Sequence, residues 1–344
     1  MWIEMSKIPH GRRWSAGGEF MRNFIRIAVA LFVAACVLFG NFAYAQSYPS
    51  KPVRIIISFP PGGITDLLAR QLAQKLQDGL GQAVVVDNRP GGNFIIAAEA
   101  AAKAAPDGHT LFLVVDSTFT LNPLQNAKLP YDPIRDFSPI SLIALQSLFV
   151  VASAQAPGAN FKEILAYAKA NPGKVTFGSS ALVAQLIGEQ LKASAGLDIL
   201  HIPFKGSPPM LQALLSGDLD FAITTFLPYA NYTKEGKLRG LAVTGPGREA
   251  PSPDTPTLRE LGFPEMGYQL WFGLVAPAAT PKSILDKLQV ETNKALKDPD
   301  FRQRLVSAGL EPAPSTPEQL GAMIKNDLEK WSKVIKAAGI TLGN

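Results

Sequence analysis

VRIIISFPPGGITDLLARQLAQKL, residues 53–76, decides the fold. Val53-Arg54-Ile55-Ile56-Ile57 is a short, mostly β-branched run that reads as a buried strand. Pro60-Pro61-Gly62-Gly63 breaks it. Thr65 or Asp66 then caps a helix with Leu68, Leu72, Leu76 and Leu80 on one face. A buried strand, a small-residue turn and an amphipathic helix make one unit of an α/β sheet.

The same grammar continues outward. Val84-Val85-Val86 is the next strand, residues 94–105 an alanine-rich helix stopped at Pro106-Asp107-Gly108, and residues 111–115 a third strand. Further on, Asn160 and Glu163 form a capping-box pattern before a helix ending at Asn171-Pro172-Gly173. Val175-Thr176-Phe177 is a strand, Gly178-Ser179-Ser180 a tight loop, and residues 181–195 a helix. Residues 200–204, 219–224 and 238–244 read as strands, and the Pro- and Gly-rich stretch 245–256 as a surface loop. Residues 268–275 form a strand that can return the chain to its starting lobe. Thr280-Pro281 and Thr316-Pro317, the latter with Gln319, open two C-terminal helices. The pattern predicts two α/β lobes, the second inserted in the first. Residues 46–147 and 273–344 form one, residues 148–272 the other, with crossings near 145–150 and 268–275.

At 344 residues the chain has room for two such lobes, and with 47% apolar and 18% charged residues it can bury a sizeable core. The net charge of +5 misleads. Of the 33 basic and 28 acidic residues, five and two lie in the first 45 positions, leaving 28 against 26 and a net charge of +2. No basic stripe remains to suggest nucleic acid. Residues 21–45 carry Arg22 and Arg26, an apolar run from Ile27 to Phe39 and the small-x-small site Ala43-Tyr44-Ala45. That is the layout of a secretory signal starting at Met21 and cleaved after Ala45, which would leave residues 1–20 outside the translated protein. Val33-Ala34-Ala35-Cys36 resembles a lipoprotein box, but the apolar run continues past it. Cleavage after Ala45 leaves no cysteine, and so neither disulfide nor thiol nucleophile.

The loop Phe59–Asp66 is the first candidate site. Glycine lets a ligand approach the backbone, and the following helix start carries unpaired N–H groups that suit an anion. Gly178-Ser179-Ser180 repeats the arrangement in the second lobe, and the two loops could each hold one end of a small acid. Lys205 before a third helix at Ser207 could add charge attraction. Ser117, Thr118, Thr224 and Thr225 follow strand ends, where open α/β sheets bind ligands. Catalytic signals are poor. His109 and His201 sit in apolar strand contexts, and Gly178-Ser179-Ser180-Ala181-Leu182 lacks the second glycine of a nucleophile elbow. There is no Walker A loop, dinucleotide spacing or His/Cys cluster, so no cofactor or metal is expected. Asp66, Asp87 and Asp116 are the acids that could be proposed, Asp66 being better explained as a helix-start residue.

Several motifs, in order, resemble the Bug-type periplasmic solute receptors of tripartite tricarboxylate transporters. They are Tyr48-Pro49-Ser50-Lys51-Pro52, the PPGG-x-TD loop, Asn88-Arg89-Pro90-Gly91, AAKAAPDGHTL (101–111), LPYDPIRDFSPISLIA (129–144), PGKVTFGSS (172–180), IPFKGSPP (202–209), GKLRGLAVT (236–244), Trp271-Phe272-Gly273 and Glu329-Lys330-Trp331. The resemblance implies a type II, Venus-flytrap binding protein whose lobes close on a small carboxylate for delivery to a two-component membrane permease. It implies a periplasmic, non-enzymatic monomer. It implies binding residues Phe59, Gly62, Gly63, Thr65 and Asp66 on one side and Ser179, Ser180 and Ala181 on the other.

This chain departs from the family where the ligand would lie. GSSALVAQLIGE (178–189) stands where GSSG-x-G-S/T-x-x-H is usual, Ile64 replaces the third glycine of PGGGTD, and NRPGGNFIIAAE (88–99) adds Phe94 and Ile95. Val115-Asp116-Ser117 replaces a Gly-Ser-Asn-type loop. These changes point to a bulkier, less polar cleft and to an aromatic or hydrophobic carboxylate, terephthalate-like. The alternatives are an aliphatic di- or tricarboxylate, a sensor for a membrane kinase, and a periplasmic hydrolase. The last lacks a visible nucleophile–base pair. On this reading Ser179→Ala weakens binding and leaves the melting temperature nearly unchanged.

Overall fold

The computed structural model describes residues 48–126 and 128–338, with positions 21, 24–26 and 28. Apart from those last positions, the expected export signal, its cleavage site and Cys36 lie outside the described residues.

Eleven strands among the described residues form two sheets. The first sheet runs β11-β4-β10-β3-β1-β2. Its members are β1 (Val53–Ile57), β2 (Val84–Asn88), β3 (Thr110–Val115), β4 (Phe137–Ser147), β10 (Gln269–Pro277) and β11 (Glu311–Pro312). The second runs β7-β6-β8-β5-β9. It comprises β5 (Phe149–Ser153), β6 (Thr176–Ser179), β7 (Leu200–Pro203), β8 (Phe221–Thr224) and β9 (Leu238–Val243). β1 lies parallel between β2 and β3, and β6 lies parallel between β7 and β8. Parallel strands buried on both faces read as unbroken apolar runs, which is why Ile55, Ile56 and Ile57 all lie in the interior.

The second sheet is drawn wholly from residues between β4 and β10. The chain leaves the first lobe at Leu148 and re-enters it at β10, whose Gln269 pairs with Ser147. The crossing is knitted by Thr244. Its N–H donates to the Leu148 carbonyl, its hydroxyl accepts from the Leu148 N–H, and its carbonyl accepts from the Tyr268 N–H, each at 2.9 Å. The Pro317–Ala338 helix spans both lobes as well. Leu320 and Ile324 join a first-lobe core, whereas Trp331 is fully buried in the core of the second.

Several boundaries differ from the sequence reading. The first helix is Ile64–Leu80, with Gly63 rather than Thr65 or Asp66 at its N-cap. The alanine-rich helix runs Ile95–Ala102, ending short of the expected residue 105; at its start Asn93 (φ 52°) and Phe94 (φ 73°) take left-handed conformations that a helix cannot include, so Phe94 stays outside it. The helix after Thr280 begins at Lys282, leaving Pro281 as its cap. The two capping patterns form as read. Asn160 Oδ1 accepts from the Glu163 N–H while Glu163 accepts from the Ala159 N–H, and Thr316 and Gln319 bond reciprocally.

Candidate functional site

Two strand-to-helix turns and the crossing strands enclose a cavity of about 540 Å³. In the first turn Gly62 sits at φ +93°, a conformation other residues resist. Asp66 pins this turn from inside the helix. Its Oδ2 accepts from the Gly62 N–H (3.0 Å) and Arg70 Nε (2.9 Å), and its Oδ1 accepts from Asn88 Nδ2 (2.9 Å). The Arg70 guanidinium, more than Asn88 or the Gly62 amide, holds this carboxyl down to about 2. With Gly63 as N-cap the helix has no side-chain cap, and the N–H groups of Ile64, Thr65 and Asp66 have no acceptor among the described residues.

The second turn ends β6. Ser180 and Ala181 are exposed, and the Leu182–Ala195 helix starts at Ala181, again without a side-chain cap. The amides of Leu182, Val183 and Ala184 likewise lack acceptors among the described residues. Each lobe thus brings a helix start with free donors and a positive dipole end to the same cavity. The third helix start, Ser207–Ser216, is poorer, because Pro208 and Pro209 have no N–H to offer.

Of the expected residues, Phe59, Gly63, Thr65, Ser117, Ser180, Ala181, Thr224 and Thr225 line the cavity. Gly62, Asp66, Thr118, Ser179 and Lys205 do not. The Gly62 amide and the Asp66 carboxylate are occupied with each other. Thr118 is fully buried behind the wall, its carbonyl accepting from Tyr131 Oη at 2.6 Å. Lys205 is solvent-exposed outside the cavity. Ser179 is buried, with Oγ 2.8 Å from His201 Nε2, so it ties β6 to β7 instead of facing a ligand.

That contact also corrects the expectation that no serine–histidine pair exists. The pair is present, but Ser179 is only 3% exposed, and among the described residues no carboxylate orients the other His201 nitrogen. Burial pushes the His201 pKa down. His109 is a strut too, accepting from the Ser50 N–H at 3.2 Å. The described residues hold no group of three metal-ligating side chains.

Sequence reasoning missed Asn122, Gln125 and Gln146, polar residues of the wall that no motif marks. Asn122 Nδ2 donates to the Asn93 carbonyl at 2.6 Å and so holds the strained stretch that carries Phe94. Phe94 packs on Phe59 with ring centroids 4.9 Å apart, and both face the cavity with Ile64, Leu182, Ile223 and Leu270. Among the described residues no Lys, Arg or His lines the cavity, and Asp116 is the one ionisable side chain there. It is buried, accepting at Oδ1 from the Ser117 N–H (2.6 Å) and hydroxyl (3.0 Å) and at Oδ2 from the Tyr268 hydroxyl. Burial pushes its pKa up to about 6.

Two α/β lobes, joined by crossing strands and one shared helix around a cleft of small-molecule size, define a two-lobe solute-binding receptor. The chain belongs to the tripartite tricarboxylate transporter family receptors, whose model matches residues 68–340, and its Bug relatives make it of the Bug type. It is 34% identical over 321 residues to protein BugT of Bordetella pertussis, covering 91% of this chain and 97% of BugT. Among solved structures it resembles R. palustris Rpa4515 with adipate, at 32% identity and a TM-score of 0.73, over 86% of this chain and 99% of that one. It also resembles MatC from Rhodopseudomonas palustris with bound malate, at 29% identity and a TM-score of 0.69, over 84% and 100%.

Proposed function

We propose that this chain is a periplasmic receptor that closes on a small organic carboxylate with an apolar, preferably aromatic, body and presents it to a membrane permease. The observation that carries this reading is the pair of helix starts, at Gly63 and Ala181, whose unoccupied amides meet at one cavity. Backbone N–H groups in a site of low polarity bind carboxylate oxygens without a cation. The relatives crystallised with adipate and malate support the carboxylate class. The Phe59–Phe94 pair, with Ile64 and Val183 where the family usually has glycine, favours an apolar body between the charged ends.

Receptor function rather than turnover is supported by the receptor family to which the chain belongs. The amino-terminal signal read from the sequence supports export, and no helix among the described residues is long and apolar enough to cross a membrane. Ligand closes the lobes only to the extent that it binds the closed state more tightly than the open one. Micromolar affinity, about −8 kcal/mol, is within reach of several charge-assisted hydrogen bonds plus an apolar body.

Calorimetry with terephthalate, benzoate, adipate, malate and citrate tests the reading. Terephthalate or benzoate should bind most tightly. Tight citrate binding with no aromatic response would overturn the aromatic preference, and no heat from any of the five would overturn the carboxylate reading. Uptake measured in a deletion strain separates transport from sensing, since only a transport receptor abolishes accumulation when lost.

A further inference from the structure

The cleft poses an electrostatic problem that the two helix starts do not solve. A cavity of about 540 Å³ is about 10 Å across if round, so an anion anywhere inside lies within about a Debye length of the Asp116 carboxylate. Among the described residues no Lys, Arg or His of the lining stands between them, so a bound carboxylate raises the cost of keeping Asp116 ionised.

We propose that Asp116 is the proton-carrying residue of the cleft: a carboxylate bound here enters together with one proton, which Asp116 holds. This inference rests on the carboxylate reading above. Burial pushes the Asp116 carboxyl up, while the donors on its two oxygens only partly offset that. It is 2% exposed, at the end of β3. Beyond Ser117, its one hydrogen-bonding neighbour from another segment is Tyr268, whose own ionisation is pushed far up by burial and by the adjacent acid.

The Pro317–Ala338 helix brings two charged groups to the same place. Asp327, which accepts from Trp271 Nε1 at 2.8 Å, adds like charge that pushes Asp116 up further. Lys330 donates to the Gly267 carbonyl (2.9 Å) and lies 5.1 Å from the Tyr268 ring centroid, on the ring and not on the Asp116 carboxylate. Among the described residues Asp116 therefore has hydrogen-bond donors but no salt-bridge partner, and its carboxyl, pushed up to about 6, is ionised near pH 7 but close enough to that pH for a nearby negative charge to protonate it. A second negative charge in the cavity completes the protonation.

The test is calorimetry of the full exported protein with adipate and with terephthalate, between about pH 6.5 and pH 8, where both ligands stay doubly charged. Run in buffers of different ionisation enthalpy, it should show uptake approaching one proton per ligand and an affinity about tenfold tighter at the acid end. Asp116→Asn, neutral throughout, should bind about tenfold tighter than the parent at pH 8 and lose the pH slope. No proton uptake by the parent, or an unchanged slope in the variant, would overturn the proposal. The carbon-13 titration of the Asp116 carboxyl in ligand-free wild-type protein stands apart from both folding of the variant and choice of ligand. A midpoint near 6 supports the proposal, and one near 4 overturns it even if no carboxylate binds. Silence of both probes together with a midpoint near 6 would instead overturn the carboxylate reading alone.

Discussion

Both helices that face the cleft begin with free amides, at Gly63 in the first lobe and Ala181 in the second, but the two turns are held in different ways. In the first, a charged network of Asp66, Arg70 and Asn88 locks the loop from behind. In the second, a neutral Ser179–His201 contact ties the turn to the neighbouring strand. The walls differ as well. The first lobe offers the paired rings of Phe59 and Phe94, the second the aliphatic side chains of Leu182, Val183 and Ile223 beside Ser180 and Ala181. In both turns the conspicuous polar side chain fixes the backbone and the backbone is left to meet the ligand. The aromatic surface comes from one lobe, while both supply donors and apolar wall.

The comparison breaks most readily at the second turn. Ala181→Glu places a negative charge at the exposed helix start, and like charges juxtaposed in a site cost several kcal/mol. Carboxylate affinity should fall at least about a hundredfold, with the melting temperature almost unmoved. Unaltered binding by calorimetry would remove this turn from the site.

Phe94→Gly removes one aromatic wall and relieves the left-handed strain at φ 73°. Terephthalate should lose roughly tenfold in affinity, consistent with about 1.5 kcal/mol for an aromatic contact, and malate much less. Equal losses for both would mean that Phe94 shapes the loop and not the preference.

Asp66→Asn probes the first turn's lock. Loss of charge-assisted hydrogen bonds should lower stability at pH 7 by about 1–3 kcal/mol in denaturant melts. Because the folded pKa of Asp66 lies below its ordinary value, its stabilisation is present above about pH 4 and fades as pH falls through about 2. The stability gap between parent and variant should close over that window. A gap independent of pH would assign the effect to shape rather than charge.

Ser179→Ala is the mildest change, and its expectation is the reverse of the one read from sequence. Stability should fall by about 1 kcal/mol through the lost His201 contact, while affinity stays within about twofold. A large loss of affinity at constant stability would restore Ser179 to the site.

Much of the fold was legible because it depends on local patterns. Ile55-Ile56-Ile57 announced a strand buried on both faces, and the Asn160–Glu163 and Thr316–Gln319 spacings announced helix starts. The two turns were legible as places for the same reason, since glycine and serine between strand and helix mark a tight bend. What each side chain does there was not legible. Whether Ser179 faces the cleft or His201 depends on how β6 and β7 align, a relation between residues 22 apart in sequence. The left-handed turn that puts Phe94 before the alanine-rich helix is braced by Asn122, which grips the Asn93 carbonyl from 29 residues away. Asp116 could be named from sequence as an acid, but its solitude in the cavity emerges only when both lobes and the crossing strands are assembled around it.

The central claim, that backbone amides from two helix starts capture one carboxylate, is tested most directly by following the protein's amide signals in a nitrogen-15 NMR titration with terephthalate. The N–H groups of residues 63–66 and 181–184 should shift together and saturate at one ligand per chain. Saturable shifts confined to one lobe, or to the second-lobe groove around Arg239 and Lys162, would contradict the account.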